Sequence, residues 1–160
     1  VAGPGGWLSD SELLRRGMGS KSGDTIQKLL DGDSSLWSGR DSRYASQSEA
    51  DMGLCFYLAF WTGGDPERID DLFRESGLYR EKWDRRHYGN GATYGAVCVA
   101  RTLLKLDDYY SPPATDTGTD NRGGQWATAE PRGAKPTRRR GYRRQEQVIH
   151  RRNQAASQRR

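Results

Sequence analysis

Histidine is almost absent from this 160-residue chain: His87 and His150 are the only two, and neither has an evident nucleophile partner. That scarcity removes the usual general base and the couples that activate a nucleophile. Cysteine is as scarce, and Cys55 and Cys98 form no CxxC and sit beside no histidine cluster, which argues against a zinc site. Two buried free thiols in a reducing cytosol are the expected state, and a disulfide between them is left open. No run approaches the ~18 apolar residues of a membrane span, and the start VAGPGG lacks the charged-then-apolar order of a signal peptide. A cytoplasmic setting without membrane contact is therefore expected. A valine start also suggests a piece of something longer.

Chemistry fares no better elsewhere. The carboxylate pairs Asp70–Asp71 and Asp107–Asp108 are sequence neighbours that need not converge on one substrate, so a solvated face is preferred for both. TGTDNRGG lacks the lysine and the following helix of a phosphate-cradling loop. This piece is read as catalysing nothing by itself, with no cofactor of its own.

What is present is concentrated in Ser46–Trp83. Ser46 and Glu49 form a capping box. Met52, Cys55, Leu58, Ala59 and Thr62 then recur at helical spacing, with Leu54, Tyr57 and Trp61 widening the stripe and Phe56 and Phe60 outside it. A helix apolar nearly all round must be packed on several sides. Gly63 and Gly64 end it, Asp65 and Pro66 restart the chain, and Ile69, Leu72 and Phe73 give the next helix an apolar ridge.

Before this pair, residues 1–8 read as a linker. Ser9 or Asp10 caps a short helix with Leu13, Leu14 and Met18, stopped by Gly17 and Gly19, and Asp24 opens another through Ile26, Leu29 and Leu30 to Gly32. Residues 31–45 form an ordered loop pinned by Trp37 and Tyr44. After the pair, Gly77 reads as a cap, a helical turn passes through Trp83, and Gly89–Gly91 makes a mobile tip. Thr93 caps a last helix in which Val97, Ala100 and Leu104 share a face. No alternating run is long enough for a strand, so the expected class is all-α, a small bundle of about five helices.

Composition changes near Leu106. Residues 1–106 hold 14 Lys and Arg against 15 Asp and Glu, net −1, and 107–160 hold 12 against 6, net +6. The tail divides again into a spacer to Glu130, net −4, and a basic arm from Pro131, net +10. With a mean hydropathy of −0.99 over the chain, the tail is expected to be disordered.

Binding is better supported than catalysis. Arg80, Lys82, Arg85, Arg86 and His87 lie among Tyr79, Trp83, Tyr88 and Tyr94, a mixture suited to single strands, with cations on phosphates and rings under bases. The competing reading makes Trp83 and Tyr94 core residues and the charges a solvated rim. Arg101 is either a phosphate contact or a partner for an acid such as Asp70. In the arm, Arg138, Arg139, Arg140, Arg143 and Arg144 form a generic polyanion contact.

The string SQSEADMGLCFYLAFWTGGDPERIDDLFRESGLYREKWD, with the later TYG and its helix, resembles the helix-bundle domain of phage and archaeal-plasmid primase-polymerases over about residues 9–106. The resemblance implies contact with single-stranded template and an initiating nucleotide, while Mg-dependent nucleotidyl transfer belongs to a separate catalytic domain. It places GLYREKWD, Thr93, Tyr94 and Gly95 nearest nucleic acid. HYGNGA and AVCVART depart from the family's pattern. Implied partners are primer-template, a primase catalytic domain or a helicase. The other reading is a protein-interaction module that docks a replication polymerase or helicase.

Overall fold

The computed structural model describes residues 8–112 and builds five helices: α1 Asp10–Met18, α2 Gly23–Asp31, α3 Gln47–Thr62, α4 Pro66–Glu75 and α5 Tyr94–Lys105. Among the described residues the only extended pairing is one antiparallel bridge between Arg86 and Thr93, so the class is all-α as expected. What the sequence suggests for residues 1–7 and 113–160 lies outside the described residues.

α3 is the hub. It touches each of the other four helices, while α1 packs on α2 and α4 on α5. Leu54, Cys55, Leu58 and Ala59 are buried along the expected stripe, with Phe60 and Trp61 buried beside it. Ser46 Oγ accepts from the Glu49 amide at 3.3 Å, and the Glu49 carboxylate accepts from the Ala45 amide at 2.9 Å. The reciprocal half of the capping box thus lands one residue upstream of the cap, still satisfying a free donor at the helix entrance. Gly63 and Gly64, at φ +73° and +79°, turn the chain out of α3. Asp65 then accepts from the Glu67 and Arg68 amides and starts α4 on Pro66.

Three glycine and helix-face expectations are corrected. Gly17 does not stop α1 but lies inside it, and its bare Cα admits the Trp61 indole, which would stand 3.1 Å from an added Cβ. Ser76, not Gly77, caps α4. Gly77 lets the chain cross the end of α2, where its amide donates to the Leu30 carbonyl at 2.7 Å. α5 buries Gly95, Cys98, Val99 and Thr102, whereas Leu104 of the expected face is 84% exposed. Fit decides this rather than hydrophobicity. The Trp83 indole fills the space beside Gly95, where any Cβ would come within 2.4 Å of it, and that close approach sets the rotation of the helix.

Packing also runs past both ends expected for the bundle. Leu8 is buried, and after Leu106 the chain folds back as a strap. Tyr110 donates its amide to the Phe60 carbonyl at 2.9 Å, lies 4.6 Å between ring centroids from Trp61, and accepts from Arg16 at 2.7 Å. Arg16 is itself buried and reaches Glu12 at 2.6 Å. Hydrogen bonds from Arg15, and secondarily from Arg16, hold the Glu12 carboxyl down at about 2 from its ordinary 4.5. Because the folded-state value is lowered, this contribution is present above pH 4.5 and is lost as pH falls toward 2. Glu12→Gln should therefore start less stable at pH 7 and lose less than the parent between pH 4.5 and 2. Urea midpoints across that range check it, and parallel curves would mean that Glu12 contributes nothing.

Candidate nucleic-acid interface

Residues 79–94 are held between α4 and α5 by one buried ring. Trp83, in a 3-10 turn spanning Glu81–Asp84, is 1% exposed, stacks on Phe73 with centroids 3.6 Å apart, and donates its indole N–H to Asp70 at 2.7 Å. From there the chain runs out and back as a short ribbon. Tyr94 donates its amide to the Arg85 carbonyl at 2.9 Å, Arg86 bridges to Thr93, and His87 donates to Ala92 at 3.3 Å. Gly91, at φ +78°, makes the turn. Thr93 then caps α5 by accepting from the Ala96 amide at 3.1 Å.

Beneath the ribbon lies a polar network. Asp51, buried on α3, accepts two bonds from the Arg80 guanidinium, at 3.0 and 2.8 Å, and one from the Tyr94 hydroxyl at 2.9 Å. Burial pushes the Asp51 carboxyl up, and Arg80 opposes that shift. Burial likewise raises the Tyr94 hydroxyl, which stays a donor. Lys82 bonds Ser48 Oγ at 2.8 Å and stands 4.2 Å above the Tyr94 ring, a cation–π interaction. Cys98 sits beside this network and is raised to about 11 by burial, against the fields of Arg101 and Lys82. Burial raises Cys55 as well, and both cysteines are free thiols. Neither is a reactive thiolate at neutral pH.

The expected site residues therefore separate into two groups. Arg80, Lys82 and Tyr94 converge on α3, where their polar ends are already occupied. Arg85, Arg86 and His87 are exposed on the ribbon beside Tyr88, and Arg101 is exposed on α5. Among the described residues the Arg85 side chain reaches only Glu81, at 3.4 Å between two well-exposed side chains, a pairing of little weight in water. Arg86 and Arg101 make no ion pair among the described residues. The core reading holds for Trp83 and partly for Tyr94, which is half-buried. Arg101 does not pair with Asp70, whose partners are Arg74 and Trp83. Arg138, Arg139, Arg140, Arg143 and Arg144 lie outside the described residues.

Sequence reasoning missed the centre of the network, Asp51. Its signal was available: a carboxylate inside an otherwise apolar helical stretch, SEADMGLCF, needs a cation from elsewhere. Among the described residues no group of three or more His, Cys, Asp or Glu is placed to hold a metal ion. No helix among them is long and apolar enough to cross a membrane.

Comparison with known proteins bears on this same stretch. Residues 47–112 match the family model described as the NrS-1 polymerase HBD domain. A curated relative, a DNA primase-polymerase of Nitratiruptor phage NrS-1, is 43% identical over 65 residues, which make up 41% of this chain and 9% of that protein. The resemblance read from the residues is thus found, in a stretch that spans about a tenth of the relative. The family match starts at α3 and ends after the Tyr110 strap, leaving α1 and α2 outside it.

Proposed function

We propose, starting from the likeness of residues 47–112 to a primase-polymerase helical domain, that the bundle is an accessory module that helps seat single-stranded template and the initiating nucleotide for primer synthesis. Nucleotidyl transfer and its Mg²⁺ would belong to a separate catalytic domain, with which a helicase is a further candidate partner. One observation carries the reading: Arg85, Arg86 and His87 stand exposed on a ribbon fixed at both ends, with Tyr88 exposed beside them. A ribbon anchored by Trp83 and Thr93 presents its charges at low ordering cost, which suits a phosphate backbone. Tyr88, 37% exposed, offers a face on which a base can stack. Arg80, Lys82 and Tyr94 act in this reading as positioning residues that hold the ribbon's base against α3.

The test uses the full chain with all eleven Lys and Arg of residues 131–160 changed to glutamine, so that the arm does not mask the bundle. In this background Arg85→Ala with Arg86→Ala should weaken binding of a labelled single strand and reduce the salt dependence by roughly 0.7 in slope for each phosphate no longer neutralised. Tyr88→Ala should cost roughly 1–3 kcal/mol of affinity. Stability should stay within ~0.5 kcal/mol in each case, since these side chains are exposed. Tyr94→Ala is a poor probe, because it also removes a bond to Asp51. If the arm-neutralised chain binds no strand even at low salt, the nucleic-acid reading is lost and the protein-docking alternative stands.

A further inference from the structure

α5 has two chemically different sides. At 100° per residue Tyr94, Cys98 and Arg101 share one, and Ala96, Val99 and Leu103 share the opposite one. The second side forms a cleft of about 560 Å³ with α4, where the facing wall carries Glu67, Asp70 and Asp71. Among the described residues no lysine or arginine lines it. Asp70 is occupied by Arg74 and Trp83, but Glu67 and Asp71 are exposed and make no ion pair among the described residues. An apolar floor under unneutralised carboxylates repels a phosphate backbone and suits a basic segment with apolar side chains.

We infer that this cleft is the docking site of the chain's own basic arm, residues 131–160. Charge is the first argument: the arm carries net +10 and has Val148 and Ile149 set between Arg143–Arg144 and Arg151–Arg152. The composition of such a stretch complements the site: an apolar pair suits the Val99 and Leu103 floor, and guanidiniums suit Glu67 and Asp71. The second argument is that the strap passes one end of the cleft before Tyr110 and Pro112 are buried against the bundle. Tyr109 packs on Gly64, within 2.7 Å of where a Cβ would stand, two residues before the Pro66 that opens the cleft. Residues 113–142 then separate the bundle from the first arginine pair of that stretch. Thirty residues, were they to behave as a flexible chain, would span roughly 30 Å, comparable with the width of such a bundle. Tethering at this range raises the arm's effective concentration at the cleft to the order of mM, above what a free basic peptide normally reaches. The arm seated there is withheld from any strand. The docking itself does not depend on whether the ribbon binds nucleic acid.

The experiment compares amide spectra of the ¹⁵N-labelled full chain with those of a variant carrying Arg143→Gln, Arg144→Gln, Arg151→Gln and Arg152→Gln. Differences confined to the amides of residues 66–71 and 96–103 are expected. They should be lost in Glu67→Gln/Asp71→Asn, whose exposed side chains leave the fold intact. They should also be lost near 0.5 M salt, where the screening length is roughly 4 Å, and should persist on tenfold dilution. Identical spectra over those amides would overturn the proposal, as would differences that appear only around Arg85 and Arg86. Differences that fade on dilution would overturn it too, because they would assign the cleft to a second copy.

Discussion

Arg80→Met is expected to destabilise the bundle by roughly 3–5 kcal/mol at pH 7, the range for removing one member of a buried ion pair. The cost arises at Asp51 rather than at residue 80. Arg80's side chain is 30% exposed, but Asp51's is fully buried, so the carboxylate left behind has no water to replace two guanidinium bonds. Tyr94's hydroxyl alone cannot solvate it. The reverse change, Asp51→Asn, should cost less, roughly 1–3 kcal/mol, because it keeps an oxygen for Tyr94 and leaves an arginine able to turn toward solvent.

The pH dependence separates this account from a simple loss of packing. Burial already places the Asp51 carboxyl above its ordinary 3.8, and Arg80 is the main influence holding it down. Without Arg80 the folded-state value rises further. A raised folded-state value means stability that is full below the unfolded pKa and is lost as pH rises through the folded one. The penalty of Arg80→Met should therefore be largest at pH 7 and shrink as pH is lowered toward 4, where Asp51 takes up a proton. Urea unfolding at several pH values measures both. A loss under ~1 kcal/mol, or one that does not vary with pH, would show that Asp51 finds other solvation.

Arg80 also shows where reading the sequence stopped. Caps and breakers involve neighbours in the chain, and most were legible: Ser46, Gly63, Asp65, Pro66 and Thr93 all do what their types require locally, while Gly17 and Gly77 answer instead to distant partners, Trp61 and the end of α2. α3 was legible because a helix apolar nearly all round has one solution, a place at the centre. Interactions over long separations were not legible. Arg80 and Asp51 stand 29 residues apart, and nothing in the string YREKW distinguishes an arginine aimed at a buried acid from one aimed at a phosphate. The same blindness misplaced the face of α5, since a count of apolar side chains favours Leu104, while the indole of Trp83 needs Gly95. It also set the end of the bundle at Leu106, where composition changes, although Tyr110 packs on Trp61 from α3. Of the candidate site, the clustering of charge and rings along residues 79–94 was legible in the string, and its division into inward and outward cations required the fold.

Trp83 joins these two halves, and Trp83→Ala is expected to cost roughly 3–5 kcal/mol, the range for emptying a large aromatic from a core. The substitution removes the stack on Phe73 at 3.6 Å, the indole bond to Asp70 at 2.7 Å, and the filling of the space against Gly95. Collapse cannot recover much of it, because Gly95 has no side chain to move inward. Trp83→Phe should be milder, at roughly 1–2 kcal/mol, since it keeps the stack and Asp70 retains Arg74. The consequence for binding follows from the ribbon's anchoring. Tyr94 donates its amide to the Arg85 carbonyl, so that bond closes the ribbon only while Trp83 fixes the turn before it. In Trp83→Ala, under conditions where the bundle is still folded, exchange at the Tyr94 amide should rise well above the global unfolding rate. Single-strand affinity should fall together with it, although Arg85, Arg86 and Tyr88 are unchanged. Unaltered protection at Tyr94 in that variant would mean that the ribbon holds its shape by itself, and that the charges it carries are ordered independently of the core beneath them.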